Sequence, residues 1–97
     1  MGGGQTEPGP LMRYRLQIKP SAVKALGKLP AQDRSRVAKA IDALATEPRP
    51  SGVRKLSGAE TLWRIRVGDY RVVYEIRDQE LIVLVVRLGH RRDVYRR

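Results

Sequence analysis

Residues 61–76 read TLWRIRVGDYRVVYEI. Apolar and charged residues alternate along the stretch with the two-residue period of a half-buried strand. Gly68-Asp69 interrupts the alternation, and a two-residue loop with glycine first suits a type II′ hairpin turn. That turn fixes a register: Val67 opposite Tyr70, Arg66 opposite Arg71, Ile65 opposite Val72, Arg64 opposite Val73 and Trp63 opposite Tyr74. Successive side chains of a strand point to opposite faces. Trp63, Ile65, Val67, Tyr70, Val72 and Tyr74 therefore form a packing face, and Arg64, Arg66 and Arg71 share the other.

Working outward, VRKL (53–56) reads as a short strand and SGAE (57–60) as the turn into the hairpin. After the hairpin, RDQE (77–80) turns into LIVLVVRL (81–88), apolar at nearly every position, as expected of a central strand covered on both faces. Upstream, RYRLQI (13–18) alternates like a first strand. In KPSAVKALGKLP (19–30), Val23, Leu26 and Leu29 are spaced for one face of a helix that Gly27 weakens. Pro30 ends that helix or opens the next, where its missing N–H costs nothing. From Gln32 to Thr46, Val37, Ala38, Ile41, Leu44 and Ala45 make an apolar stripe, and EPRPSG (47–52) stops it. The order β-α-α-β-β-β predicts an α+β fold, two N-terminal helices packed on a mainly antiparallel four-stranded sheet. Residues 12–97 read as one domain without an internal repeat. Residues 1–11 hold four glycines and two prolines and read as a disordered leader or cloning remnant, with Met12 as the natural start.

The chain has 97 residues, with twenty Lys and Arg against ten Asp and Glu, a formal net charge of +10. Solubility does not require so much in so small a domain, and polyanions are the expected partners: nucleic acid, an acidic protein or an anionic membrane. The membrane is the weakest of these, because no stretch joins a strongly apolar face to a lysine-rich one. The longest apolar run is far too short to span a bilayer as a helix. With no cysteine, disulfide and thiolate chemistry are excluded. A soluble, cytoplasmic protein is the expectation. Arginine outnumbers lysine, which suits bidentate contacts to phosphate or carboxylate, though a GC-rich genome would bias composition the same way.

Position separates these readings better than composition. Like charges opposed across a sheet destabilise it. At about 6 Å the Arg66–Arg71 repulsion is roughly 0.7 kcal/mol in water and about 3 kcal/mol at an effective dielectric of 20. For any one arginine a solvated surface position is the commoner explanation, but three around one turn favour an anion-binding surface. The chain ends VRLGHRRDVYRR (86–97). His90, the only histidine, sits among arginines that disfavour its protonated form, a condition suited to a base. Scattered carboxylates and no cysteine give no metal site, and no cofactor is expected. Tyr95 is either a structural plug or a phenol beside a phosphate, where cationic neighbours would lower its pKa.

KLSGAETLWRIRVGDYRVVYEI (55–76) followed by VVRLGHRRDVYRR (85–97) resembles the RelE/ParE superfamily of toxins, over essentially residues 12–97. The final segment favours the RelE branch, whose members cut mRNA in the ribosomal A site. The ParE branch inhibits DNA gyrase and lacks the RNA-cleaving residues. The resemblance implies a RelE-like microbial-RNase fold and metal-independent cleavage, in which the ribose 2′-OH attacks the adjacent phosphate. It places Arg71 on the phosphate-binding arginine, Arg91 on a transition-state stabiliser or acid, and Tyr95 on a candidate base that also stacks on the message. Arg64 and Arg66 fall where the best-studied members have lysines. Arginine supports phosphate as well as lysine but is a poor proton shuttle, so both are assigned to binding with Arg92, and His90 to a supporting catalytic role. The implied partners are a RelB-like antitoxin, the ribosome and mRNA, with operator DNA contacted only through the antitoxin.

Overall fold

The structure is a computed structural model and describes residues 13–56 and 61–90. Its elements are β1 (Arg15–Ile18), α1 (Pro20–Gly27), α2 (Ala31–Ala43), β2 (Arg54–Lys55), β3 (Leu62–Val67), β4 (Tyr70–Arg77) and β5 (Ile82–His90). The strands form one five-stranded sheet in the order β1-β5-β4-β3-β2. β1 runs parallel to β5, and every other pairing is antiparallel. The α+β class is as predicted. The strand count is five where the element string had four, because the short VRKL strand does pair, through Arg54 and Lys55, with the edge of β3.

The predicted hairpin register is the observed one at every position from Val67–Tyr70 to Trp63–Tyr74. Gly68 has φ +61, and Leu81 is the one described non-glycine residue with positive φ. Asp69 is therefore on the ordinary side, the pattern of a type II′ turn.

Both helices lie on the face that carries Trp63, Ile65, Val67, Val72 and Tyr74, and the core forms there. Val37, Val72, Tyr74, Val83 and Val85 are wholly buried. α2 presents Val37 and Ile41 as expected. Its stripe continues through Leu44 and Ala45 in a tightened turn, where Leu44, Ala45 and Thr46 donate to the carbonyls three residues back. Pro30 takes the N-cap position of α2, one residue before the helix proper.

Two stripe residues depart from expectation. Val23 is 52% exposed, and α1 buries Ala22 instead. Pro20 opens α1, and Ala22 is the buried residue of that helix. Ala38 is exposed, because α2 buries the narrower set Val37, Ile41 and Leu44.

β5 lies between β1 and β4. Its pairing with β4 shifts register between Val73 and Tyr74, where Val73 faces Arg87 but Tyr74 faces Val85. Val86 is thus an extra residue, a β-bulge. The bulge explains how Val85 and Leu88, three residues apart, are both buried, while Arg87 points to the opposite face. That opposite face is only partly covered among the described residues: Ile82 and Leu84 are half-buried, where coverage of both faces was predicted.

Candidate functional site

The helix-free side of the sheet carries the arginines. Arg54 pairs with Arg64, Arg64 with Val73, and Val73 with Arg87, so these four stand in one row across β2, β3, β4 and β5. Paired residues share a face, and the adjacent row on that face is Arg66, Arg71 and Gly89. Arg54, Arg64, Arg66 and Arg71 line a pocket of about 410 Å³ together with Ser51 and Gly52. Five guanidinium groups on three adjacent strands and one bulged strand repel one another. An anion with several oxygens relieves that repulsion and accepts bidentate hydrogen bonds from each fork.

Ser51 and Gly52 belong to the loop that leads from α2 to β2. Gly52 has φ +85, open to glycine without strain. The same loop is tied to the helix-bearing side. The Tyr74 hydroxyl donates to the Pro48 carbonyl at 2.7 Å, and burial pushes the Tyr74 phenol up to about 12. Arg49 forks onto Asp78, Nη1 to Oδ1 at 3.3 Å and Nη2 to Oδ2 at 2.9 Å, and the Tyr14 hydroxyl donates to Asp78 Oδ1 at 2.6 Å. The hydrogen bonds from Arg49 and Tyr14 hold the Asp78 carboxyl below the usual range, and the Tyr14 phenol is raised, chiefly by its bond to Asp78. The Arg49 guanidinium lies 5.0 Å from the Trp63 ring centroid and the Lys55 ammonium 5.7 Å from it.

Arg64, Arg66 and Arg71 are brought together as expected. His90 is not with them. It closes β5 opposite Tyr70, on the helix-bearing side, with its ring edge-on to Tyr70 at 5.9 Å. Tyr70 donates to Asp33 Oδ2 at 3.1 Å, and desolvation, then this bond, raises its phenol. The sequence reading put His90 in a polar tail after the strand, but the bulge lengthens β5 and carries pairing to His90. Arg91, Arg92 and Tyr95 lie outside the described residues, as do residues 1–11. Arg54 and Arg87 were missed: Arg54 needed the pairing partner of β2, and Arg87 needed the bulge. Among the described residues no three His, Cys, Asp or Glu side chains stand close enough to hold a metal ion, and no helix is long and apolar enough to cross a membrane.

A profile described as "ParE toxin of type II toxin-antitoxin system, parDE" matches residues 16–95. The chain belongs to the RelE/ParE superfamily of toxins. Toxin RelG of Mycobacterium tuberculosis is 34% identical over 89% of this chain and 100% of its own length. The archaeal RelE–RelB complex from Pyrococcus horikoshii superposes with a TM-score of 0.74 at 36% identity, covering 81% of this chain and 96% of that one. The intact Escherichia coli RelBE toxin–antitoxin complex gives 0.70 at 28% identity, over 79% of this chain and 95% of that one. The protein is thus a RelE-like toxin of a type II toxin–antitoxin system.

Proposed function

We propose that this toxin is a metal-independent endoribonuclease that cuts mRNA in the ribosomal A site and so stops translation. The supporting observation is the convergence of Arg54, Arg64, Arg66 and Arg71 on one pocket, on a fold shared with RelE proteins. In the proposed reaction a base removes the 2′-OH proton and O2′ attacks the adjacent phosphorus. The bond to O5′ then breaks, and an acid protonates that oxygen. The products are a 2′,3′-cyclic phosphate and a 5′-hydroxyl. Negative charge builds on the non-bridging oxygens in the transition state, and pre-positioned guanidinium groups stabilise it without reorganising.

Arg71 is the central phosphate ligand, with Arg64 and Arg66 binding alongside it. Arg91 and Tyr95 supply the stabilising charge and the proton transfer, and Arg92 adds to the binding surface. His90, on the helix-bearing side with its ring edge-on to Tyr70, keeps a supporting role from outside the arginine pocket. A RelB-like antitoxin neutralises the toxin, as the RelE relatives' complexes suggest, and any operator DNA is contacted through the antitoxin.

A second reading has a specific observation behind it, since the matching profile carries the ParE name. A ParE-type toxin would inhibit DNA gyrase without cutting RNA. Mapping message 5′ ends in cells expressing the toxin separates the two. Cuts in phase with the reading frame, absent in Arg71→Ala and Tyr95→Phe proteins shown to be folded, are expected. Intact messages with inhibited supercoiling would replace the first reading with the second.

A further inference from the structure

The Arg49 side chain reaches to the helix-bearing side, where it lies over Trp63 and forks onto Asp78. Asp78 is a fixed point. It sits in the turn between β4 and β5, which Glu80 and Leu81 close by donating to the Arg77 and Asp78 carbonyls at 3.2 Å. Tyr14, whose hydroxyl donates to the same carboxylate, has its own N–H on the Ala45 carbonyl at 2.7 Å, just beyond α2. What Arg49 anchors to this point is the chain that leads into β2. Val53 donates to the Pro50 carbonyl at 3.1 Å, and with Gly52 at φ +85 residues 50–53 have the pattern of a type II turn. Ser51 and Gly52 in that turn wall the arginine pocket, and Arg54, another of its lining residues, follows at once. β2 itself is two residues long and lies at the edge of the sheet, paired with β3. A short edge segment opens more readily than a central strand. Arg54 is therefore placed as much by the loop before it as by its own ladder.

Resting on the reading above that the pocket binds RNA phosphate, we propose that Arg49 is a positioning residue for the substrate. Held by Asp78, it sets the entry of the loop into β2 and so keeps Arg54 and the Ser51–Gly52 wall turned onto the pocket. Substrate then meets a wall already formed, and less of its binding energy goes into ordering the loop. Arg49 takes no part in the bond changes at phosphorus. The Arg49 and Asp78 side chains are 43% and 51% exposed, so solvent screens the anchor and it biases the loop by no more than about fivefold. Substrate affinity can change by no more than that bias.

The sign of one substitution tells this anchor from plain charge. Asp78→Asn removes a negative charge from a chain of net charge +10, and charge alone would make the variant bind RNA more tightly. The anchor predicts the reverse. In a fluorescence titration with a short single-stranded 2′-O-methyl RNA, which has no attacking hydroxyl, Asp78→Asn should bind about two- to fivefold more weakly. Arg49→Lys keeps the charge but not the fork, and its affinity should fall between those of Asp78→Asn and the unaltered chain. In an Arg54→Ala background Asp78→Asn should have no further effect, because the anchor acts through Arg54. In ribosome-dependent cleavage KM should rise with kcat unchanged. Each variant is first shown to be folded by circular dichroism, and Arg49→Lys carries the test if Asp78→Asn is not. Asp78→Asn that binds as tightly as the unaltered chain, or that loses equal affinity with and without Arg54, overturns the proposal and leaves the RNA-cleaving reading standing. So does a fall in kcat at constant KM. An unaltered chain that neither binds the RNA nor cuts messages removes both.

Discussion

Arg71 stands at the middle of the arginine face, between Arg66 on β3 and Gly89 on β5, and lines the pocket with Arg54, Arg64 and Arg66. If it stabilises charge that develops on the scissile phosphate, Arg71→Ala should slow cleavage by about 10²–10³-fold, the scale for losing one such donor. Arg71→Lys should recover only part, because an ammonium lacks the planar fork. Arg54 and Arg87, which motif spacing alone did not select, should act mainly through binding. Replacing either with Ala should weaken single-stranded RNA binding at all sequences and lower the slope of log affinity against log salt by about 0.7, measured by a fluorescence titration. Tyr74 makes a different prediction. Its folded pKa of about 12 exceeds the ordinary value of 10.0, so the native state retains a proton that the unfolded chain releases. Its stabilising effect is full below about pH 10 and is lost as pH rises toward 12. Denaturant melts of the wild type should weaken over that window, and Tyr74→Phe should weaken less steeply, from a start about 1 kcal/mol lower for the missing bond to Pro48.

At the scale of elements, the loop between α2 and β2 links the two sides of the sheet. Its root is fixed by Arg49 on Asp78 and by Pro48 on Tyr74, and its tip, Ser51 and Gly52, walls the pocket. The Arg49 and Asp78 side chains remain 43% and 51% exposed, so solvent screens the pair and Asp78→Asn should cost only about 0.2–1 kcal/mol. The carboxyl pKa of Asp78 is depressed in the folded state. Its contribution is therefore present above the unfolded value near 4 and disappears as pH falls through the folded one, and Asp78→Asn should flatten that acid limb. The hairpin turn is less forgiving. An added Cβ at Gly68 would lie 3.0 Å from Arg36 Nη1, and the φ of +61 is unfavourable for any L side chain. The arginine tip can move aside but the backbone cannot, so Gly68→Ala should lose about 1–3 kcal/mol in a thermal melt. These elements also mark what the sequence could tell. The hairpin was legible because a Gly-first turn and strict alternation agree on one register. The loop ties were not, since Arg49 and Asp78 are 29 residues apart and no local period relates them. His90 was misplaced for a similar reason, because the bulge that extends β5 leaves no mark in LIVLVVRLGH itself.

For the molecule as a whole, helices on one side and arginines on the other separate two tasks. The helix-bearing side supplies the core. The helix-free side supplies the pocket. The overall charge of +10 was plain from composition, but the gathering of Arg54, Arg64, Arg66, Arg71 and Arg87 on one face required the register of the strands.

The extra residue at Val86 gives β5 the property of a spliced ribbon. Upstream of it the strand obeys one parity, and downstream the other. Removing Val86 alone would join Val85 directly to Arg87 and restore plain alternation, with Val85 still opposite Tyr74 on the core side, Arg87 still opposite Val73 on the arginine side and Leu88 still inward. The one residue whose loss spares both faces of β5 is thus Val86, whereas a loss between Ile82 and Val85 would set the residues before the bulge against the wrong partners on β4.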